Sequence, residues 1–99
     1  MPGLSVKEPE VVTSDAHILV VDDEAEVRDM LREYLVEHGF AVSTAESVSG
    51  GREVLANRAV DLVVLDLRMP GEGGLALARE IGGRGTAIIM LTASGGVVD

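Results

Sequence analysis

Asp22, Asp23 and Asp66 are the residues of this chain whose placement calls for chemistry. The first two close the run Ile18-Leu19-Val20-Val21-Asp22-Asp23-Glu24, in which apolar residues turn abruptly into carboxylates, and Asp66 closes Asp61-Leu62-Val63-Val64-Leu65-Asp66 in the same way. Two carboxylates about 4 Å apart repel by roughly 4 kcal/mol at an effective dielectric of about 20, so one of a close pair takes up a proton unless a cation intervenes. A hard divalent cation removes that penalty. A site of carboxylates, a backbone carbonyl and waters suits Mg2+, which keeps much of its hydration shell and readily recruits phosphate oxygens. An acid after a strand also serves as a helix cap or a solvated loop residue, but three acids ending two apolar runs favour a shared metal pocket.

The elements that must position these acids alternate along the chain. Ile18 to Val21 and Leu62 to Leu65 are continuously apolar, as parallel strands covered on both faces are; Phe40 to Ala45 and Ala87 to Leu91 complete a set of four. Between the first two, Val27, Met30, Leu31, Tyr34 and Leu35 recur at helical spacing, and His38-Gly39 ends that helix with a cation and a glycine stop. A second helix is expected after Ser47 as its cap, towards Asn57, and a third from near Gly74, turning Leu75, Ala78 and Ile81 inward before Gly82-Gly83. The resulting β-α-β-α-β-α-β order gives an α/β fold, a doubly wound parallel sheet in spatial order 2-1-3-4. In that order the first and third strands are neighbours, and the ligand crevice lies beyond their carboxyl ends, where all three acids converge.

Bulk properties narrow the function further. At 99 residues the chain holds a single domain, and with 2% aromatic residues its core must be aliphatic. A formal net charge of -9 repels phosphate backbones and anionic lipid, so direct nucleic-acid or membrane binding by this segment is not expected, and cations are the favoured small partners. There is no cysteine, hence no disulfide or thiolate metal site, and no signal-peptide or spanning pattern. The chain reads as cytoplasmic, with residues 1–16 a mobile tail.

The stretches "ILVVDDE", "VDLVVLDLRMPGEGGLALAREI" and "AIIMLTA" resemble, in order and spacing, the receiver domain of bacterial two-component response regulators. The resemblance spans residues 17–99 and implies the flavodoxin-like receiver fold. It also implies a phosphoacceptor switch rather than an enzyme, with self-phosphorylation and dephosphorylation chemistry at most. Asp66 falls on the phosphoacceptor position, taking a phosphoryl group from a histidine kinase or phosphotransfer protein. Asp23 matches the direct Mg2+ ligand, Asp22 a ligand acting through water, and the backbone carbonyl of Arg68 the remaining protein ligand beside Asp66. Thr92 matches the switch hydroxyl, Ala93 its small neighbour, and Met69-Pro70-Gly71 the turn after the acceptor. The "LDLRMPGEGGLALARE" stretch is most similar to receivers that precede a winged-helix DNA-binding domain.

The sequence departs from that family pattern near its end. The family's catalytic Lys on a fifth strand has no counterpart, since the one lysine is Lys7. The expectation is a receiver lacking its C-terminal third, with the fifth strand missing and residues 87–91 an unpaired apolar edge open to self-association. A phosphorylation-incompetent fragment acting as a protein-interaction module is therefore the alternative reading. Gly71-Glu72-Gly73-Gly74-Leu75-Ala76 fits a dinucleotide fingerprint but lacks the ribose-binding acid that should follow. An aspartyl-phosphate hydrolase would want a second acid close after Asp66, where Arg68 stands. His17 and His38 read as structural, and Arg28, Arg32 and Arg79 as solvated helix faces.

Overall fold

The computed structural model describes residues 16–69, 73–91 and, for the backbone alone, 97–98. Residues 1–15 of the proposed tail, Pro70, Gly71, Thr92 and Ala93 lie outside the described residues. Strand β1 (His17–Val21) is followed by α1 (Ala25–Glu37), β2 (Ala41–Ala45), α2 (Val48–Asn57), β3 (Leu62–Asp66), α3 (Gly74–Gly82), β4 (Ala87–Leu91) and β5 (Val97–Val98). The sheet order is β2-β1-β3-β4-β5, with the first four strands parallel, as the alternation of elements predicts.

The core forms because alternate strand residues face alternate sides. Leu19, Val21, Val63 and Leu65 meet Val48 of α2 and Leu77 and Ile81 of α3 in one buried cluster. Ile18 and Val20 point to the opposite face and are equally buried. Helix α1, which packs on β1 and β2 but contributes nothing to that cluster, covers them there.

Local signals set the element ends. The Ser47 hydroxyl accepts the Gly50 N–H at 3.0 Å, capping α2. Helix α1 stops where Gly39 takes φ +93°, while Gly39 N–H donates to Val36 O and Phe40 N–H to Leu35 O, the paired bonds of a glycine-terminated helix. His17 is structural: its Nδ1 lies 2.8 Å from Ala59 O and its Nε2 2.8 Å from Ser43 Oγ. A carbonyl only accepts, so Nδ1 donates, and in the neutral ring Nε2 accepts from the serine hydroxyl. Its ring thus joins β1 to β2 and to the segment before β3.

Gly51 lets α2 approach β1, because a Cβ there would stand 3.1 Å from Val21 Cγ2, a fully buried side chain. Gly51→Val is expected to cost about 1–3 kcal/mol through overpacking, read as a lowered urea midpoint with unchanged slope.

The packing corrects the sequence reading at three places. Leu75 is not inward: it is 58% exposed, and the buried face of α3 is Gly74, Leu77 and Ile81, which sit three and four residues apart. On α1, Met30 and Tyr34 are exposed, and among its apolar residues only the line Val27, Leu31, Leu35 reaches half-burial, because these meet the sheet along a single i, i+4 row. The edge of β4 is not wholly unpaired either. A two-residue antiparallel β5 pairs Val98 with Met90 and Val97 with Leu91. Among the described residues, Ala87, Ile88 and Ile89 have no strand neighbour on that side.

Candidate metal centre

Two strand ends, held level by the sheet, build the site. Val21 pairs with Leu65, so Asp22 and Asp66 leave β1 and β3 at the same height on adjacent strands. Asp22 N–H extends the ladder to Ala45 O at 3.1 Å, and Leu67 N–H donates to Leu91 O at 3.0 Å. Each acid also organises its own turn: Asp22 Oδ1 accepts Glu24 N–H at 2.9 Å at the entry to α1, and Asp66 Oδ1 accepts Arg68 N–H at 2.8 Å.

One carboxylate oxygen from each of Asp22, Asp23 and Asp66 lies within 4.8 Å of the other two. Asp22 and Asp66 are buried, while Asp23 is exposed. Burial pushes the Asp22 carboxyl above its ordinary value, and the charges of Asp66, Asp23 and Glu24 push it the same way; the Glu24 N–H opposes them. The arrangement is an anionic pocket partly closed to water. Oxygen ligands at about 2.0–2.1 Å on an octahedral ion stand about 3–4 Å apart, so three hard oxygen donors within 4.8 Å of one another suit Mg2+.

The other residues singled out from sequence fall into place unequally. Arg68 is at the rim with its amide committed to Asp66. Met69 is buried and anchors the loop after Asp66 in the core. Leu91, the residue before Thr92, pairs directly with Asp66. Arg28 is not on a solvated helix face: its side chain is 18% exposed, Nη1 donates to the Asp22 carbonyl at 2.8 Å, and Nη2 lies 4.0 Å from Glu46 Oε1. The available signal was its place early in α1, because helical side chains lean towards the N-terminus and so towards the acid turn.

Residues 18–99 match the family model of the response regulator receiver domain. The chain belongs to that family. This receiver domain is 39% identical over 83 residues to Protein PetR of Rhodobacter capsulatus, covering 83% of the chain and 35% of PetR. It is 45% identical over 87 residues to the transcriptional regulatory protein ResD of Bacillus subtilis, covering 84% of the chain and 35% of ResD. The receiver domain therefore spans about a third of the length of these curated relatives. Among solved structures it resembles the response regulator TrrA of Thermotoga maritima, solved in complex with Mg2+-BeF, with a TM-score of 0.70 and 44% identity, covering 79% of this chain and 70% of that one. The receiver domain of HemR from Leptospira biflexa, in its non-phosphorylated form, gives a TM-score of 0.73 at 34% identity, covering 82% and 67%. The doubly wound, flavodoxin-like fold expected from the sequence is thus the fold of the family. Receiver domains act as phosphoacceptor switches and are not generally classed as enzymes.

Proposed function

We propose that this receiver domain takes a phosphoryl group from a histidine kinase or phosphotransfer protein onto Asp66 and changes its surface in response. The observation that carries the reading is the convergence of one oxygen each from Asp22, Asp23 and Asp66. Asp23 and Asp66 would hold Mg2+ directly, Asp22 through water, with the Arg68 backbone carbonyl as a further ligand. When bound, the ion neutralises charge on the acids and on the incoming phosphoryl oxygens.

Asp66 Oδ1 is occupied by the Arg68 amide, and among the described residues nothing hydrogen-bonds its second oxygen, which is free to attack phosphorus. The new O–P bond forms as the P–N bond of the phosphohistidine donor breaks, and the freed imidazole leaves with the bonding electrons. The product carries about two negative charges and three acceptor oxygens, which would draw the Thr92 hydroxyl inward and shift the loop bearing it. Such a switch works in the cytoplasm, and no helix among the described residues is long and apolar enough to cross a membrane. The similarity to longer transcriptional regulatory proteins supports an output domain outside the matched third, with nucleic acid met there rather than by this segment, whose net charge is -9.

A second reading has its own support. Among the described residues, Ala87, Ile88 and Ile89 have no strand neighbour on their outer side, an apolar edge that could seat another chain. In that case the domain is a phosphorylation-incompetent association module. Intact-mass analysis after incubation with a small phosphodonor and Mg2+ separates the two. The expected result is a phosphoryl adduct on the native chain and none on Asp66→Ala; no adduct on either, with Mg2+ still bound, selects the association module.

A further inference from the structure

We propose that Arg28 is a positioning residue which orients Asp23 for a divalent cation by holding the carbonyl of Asp22. The proposal rests on the metal reading above and adds to it a residue of α1. Asp22 is anchored at its amide, which donates to Ala45 O at 3.1 Å, and at its carboxylate, which accepts Glu24 N–H at 2.9 Å. Its carbonyl is the third anchor, taken by Arg28 Nη1 at 2.8 Å. That oxygen belongs to the peptide joining Asp22 to Asp23, and because a peptide is planar, fixing it fixes the direction in which the chain reaches Asp23.

Asp23 needs such help. It is exposed, and among the described residues its carboxylate makes no hydrogen bond of its own. Arg28 N–H makes the first hydrogen bond of α1, to Glu24 O at 3.1 Å, and its side chain runs back beneath the turn with 18% of its surface exposed. The outer nitrogen lies 4.0 Å from Glu46 Oε1, beyond the end of β2. The guanidinium therefore ties the β1–α1 turn, α1 and the β2–α2 turn together.

The proposal has a competitor of opposite sign. A guanidinium held on the turn that carries Asp22 and Asp23 weakens cation binding if charge is all it supplies, so removing it would tighten Mg2+ binding. If it orients a ligand, removing it weakens binding, and loss of a group that supports a metal ligand typically costs 10–100-fold in affinity.

The test is an amide NMR titration of the full chain with Mg2+ alone, comparing the native sequence with Arg28→Met and Arg28→Lys, with Tm in EDTA as the check on folding. The expected result is at least tenfold weaker binding for Arg28→Met, intermediate binding for Arg28→Lys, and faster amide exchange at Asp23 and Glu24 in both. Unchanged or tighter binding by Arg28→Met overturns the proposal. Should that variant not fold, Arg28→Lys carries the comparison, and native affinity there overturns it. A native chain that shows no Mg2+-dependent shift removes the metal reading and this role with it, whereas native binding left intact in the variants removes only the role of Arg28.

Discussion

Asp22→Asn is expected to melt above the native chain at pH 7 in EDTA and to lose most of the stabilisation that Mg2+ confers. The Asp22 carboxyl is raised above 3.8 by burial first, then by Asp66, Asp23 and Glu24. Between 3.8 and the higher folded value, the native state binds more protons than the unfolded chain, so native stability falls as pH rises through that window and stays low above it. Asparagine has nothing to ionise, and its Oδ1 still accepts the Glu24 N–H. The advantage of the variant in EDTA is therefore absent below about pH 3.8 and fully developed once the native carboxyl has ionised.

Mg2+ reverses the order. At about a hundred times its dissociation constant a ligand specific to the folded state adds about 2.7 kcal/mol, or roughly 10–20 °C of Tm for a domain of this size. The native chain should show that rise and Asp22→Asn little of it. Thermal scans at pH 3.5, 5 and 7, with EDTA and with Mg2+, check both halves. Equal melting of the two chains in EDTA at pH 7 would mean that the buried carboxylate carries no strain for an ion to relieve.

Leu77→Ala should cost about 2–5 kcal/mol, whereas Leu75→Ala, two residues away, should cost less than about 0.5 kcal/mol. Leu77 has no exposed surface and lies in the cluster of Val21, Val63, Leu65 and Ile81, while Leu75 is 58% exposed. Truncating Leu77 loses its transfer energy and leaves a void between α3 and the sheet, where Gly51 already brings α2 close to Val21. Since total stability is typically about 5–15 kcal/mol, the Leu77 variant loses a large share of it. Urea denaturation of the two variants side by side gives the difference directly. Similar midpoints would show that α3 does not seal the core through this face.

The three converging acids were legible in the sequence for a local reason. A strand covered on both faces must be apolar throughout, so a carboxylate at its last position marks the end of the element and the mouth of the crevice together; Asp22, Asp23 and Asp66 are all of this kind. The glycine stop at Gly39 and the Ser47 cap were equally readable, because a positive φ and an orphan N–H are met within a few residues. Which helix residues turn inward was less so. Leu75 and Leu77 are the same residue type on one helix, and the choice between them depends on where Leu65 and Val21 stand, across the chain.

By itself the sequence determined the order of strands and helices, the strand ends that carry acids, and the family whose motifs they match. Only the tertiary structure decided that Leu77 rather than Leu75 fills the core, that Val97–Val98 pair with the end of β4, and that Arg28 spends its guanidinium on the Asp22 carbonyl. The physical reason is range. Strand runs, caps and stops answer to neighbours along the chain, whereas burial, edge pairing and a hydrogen bond to a particular carbonyl answer to neighbours that only folding brings near.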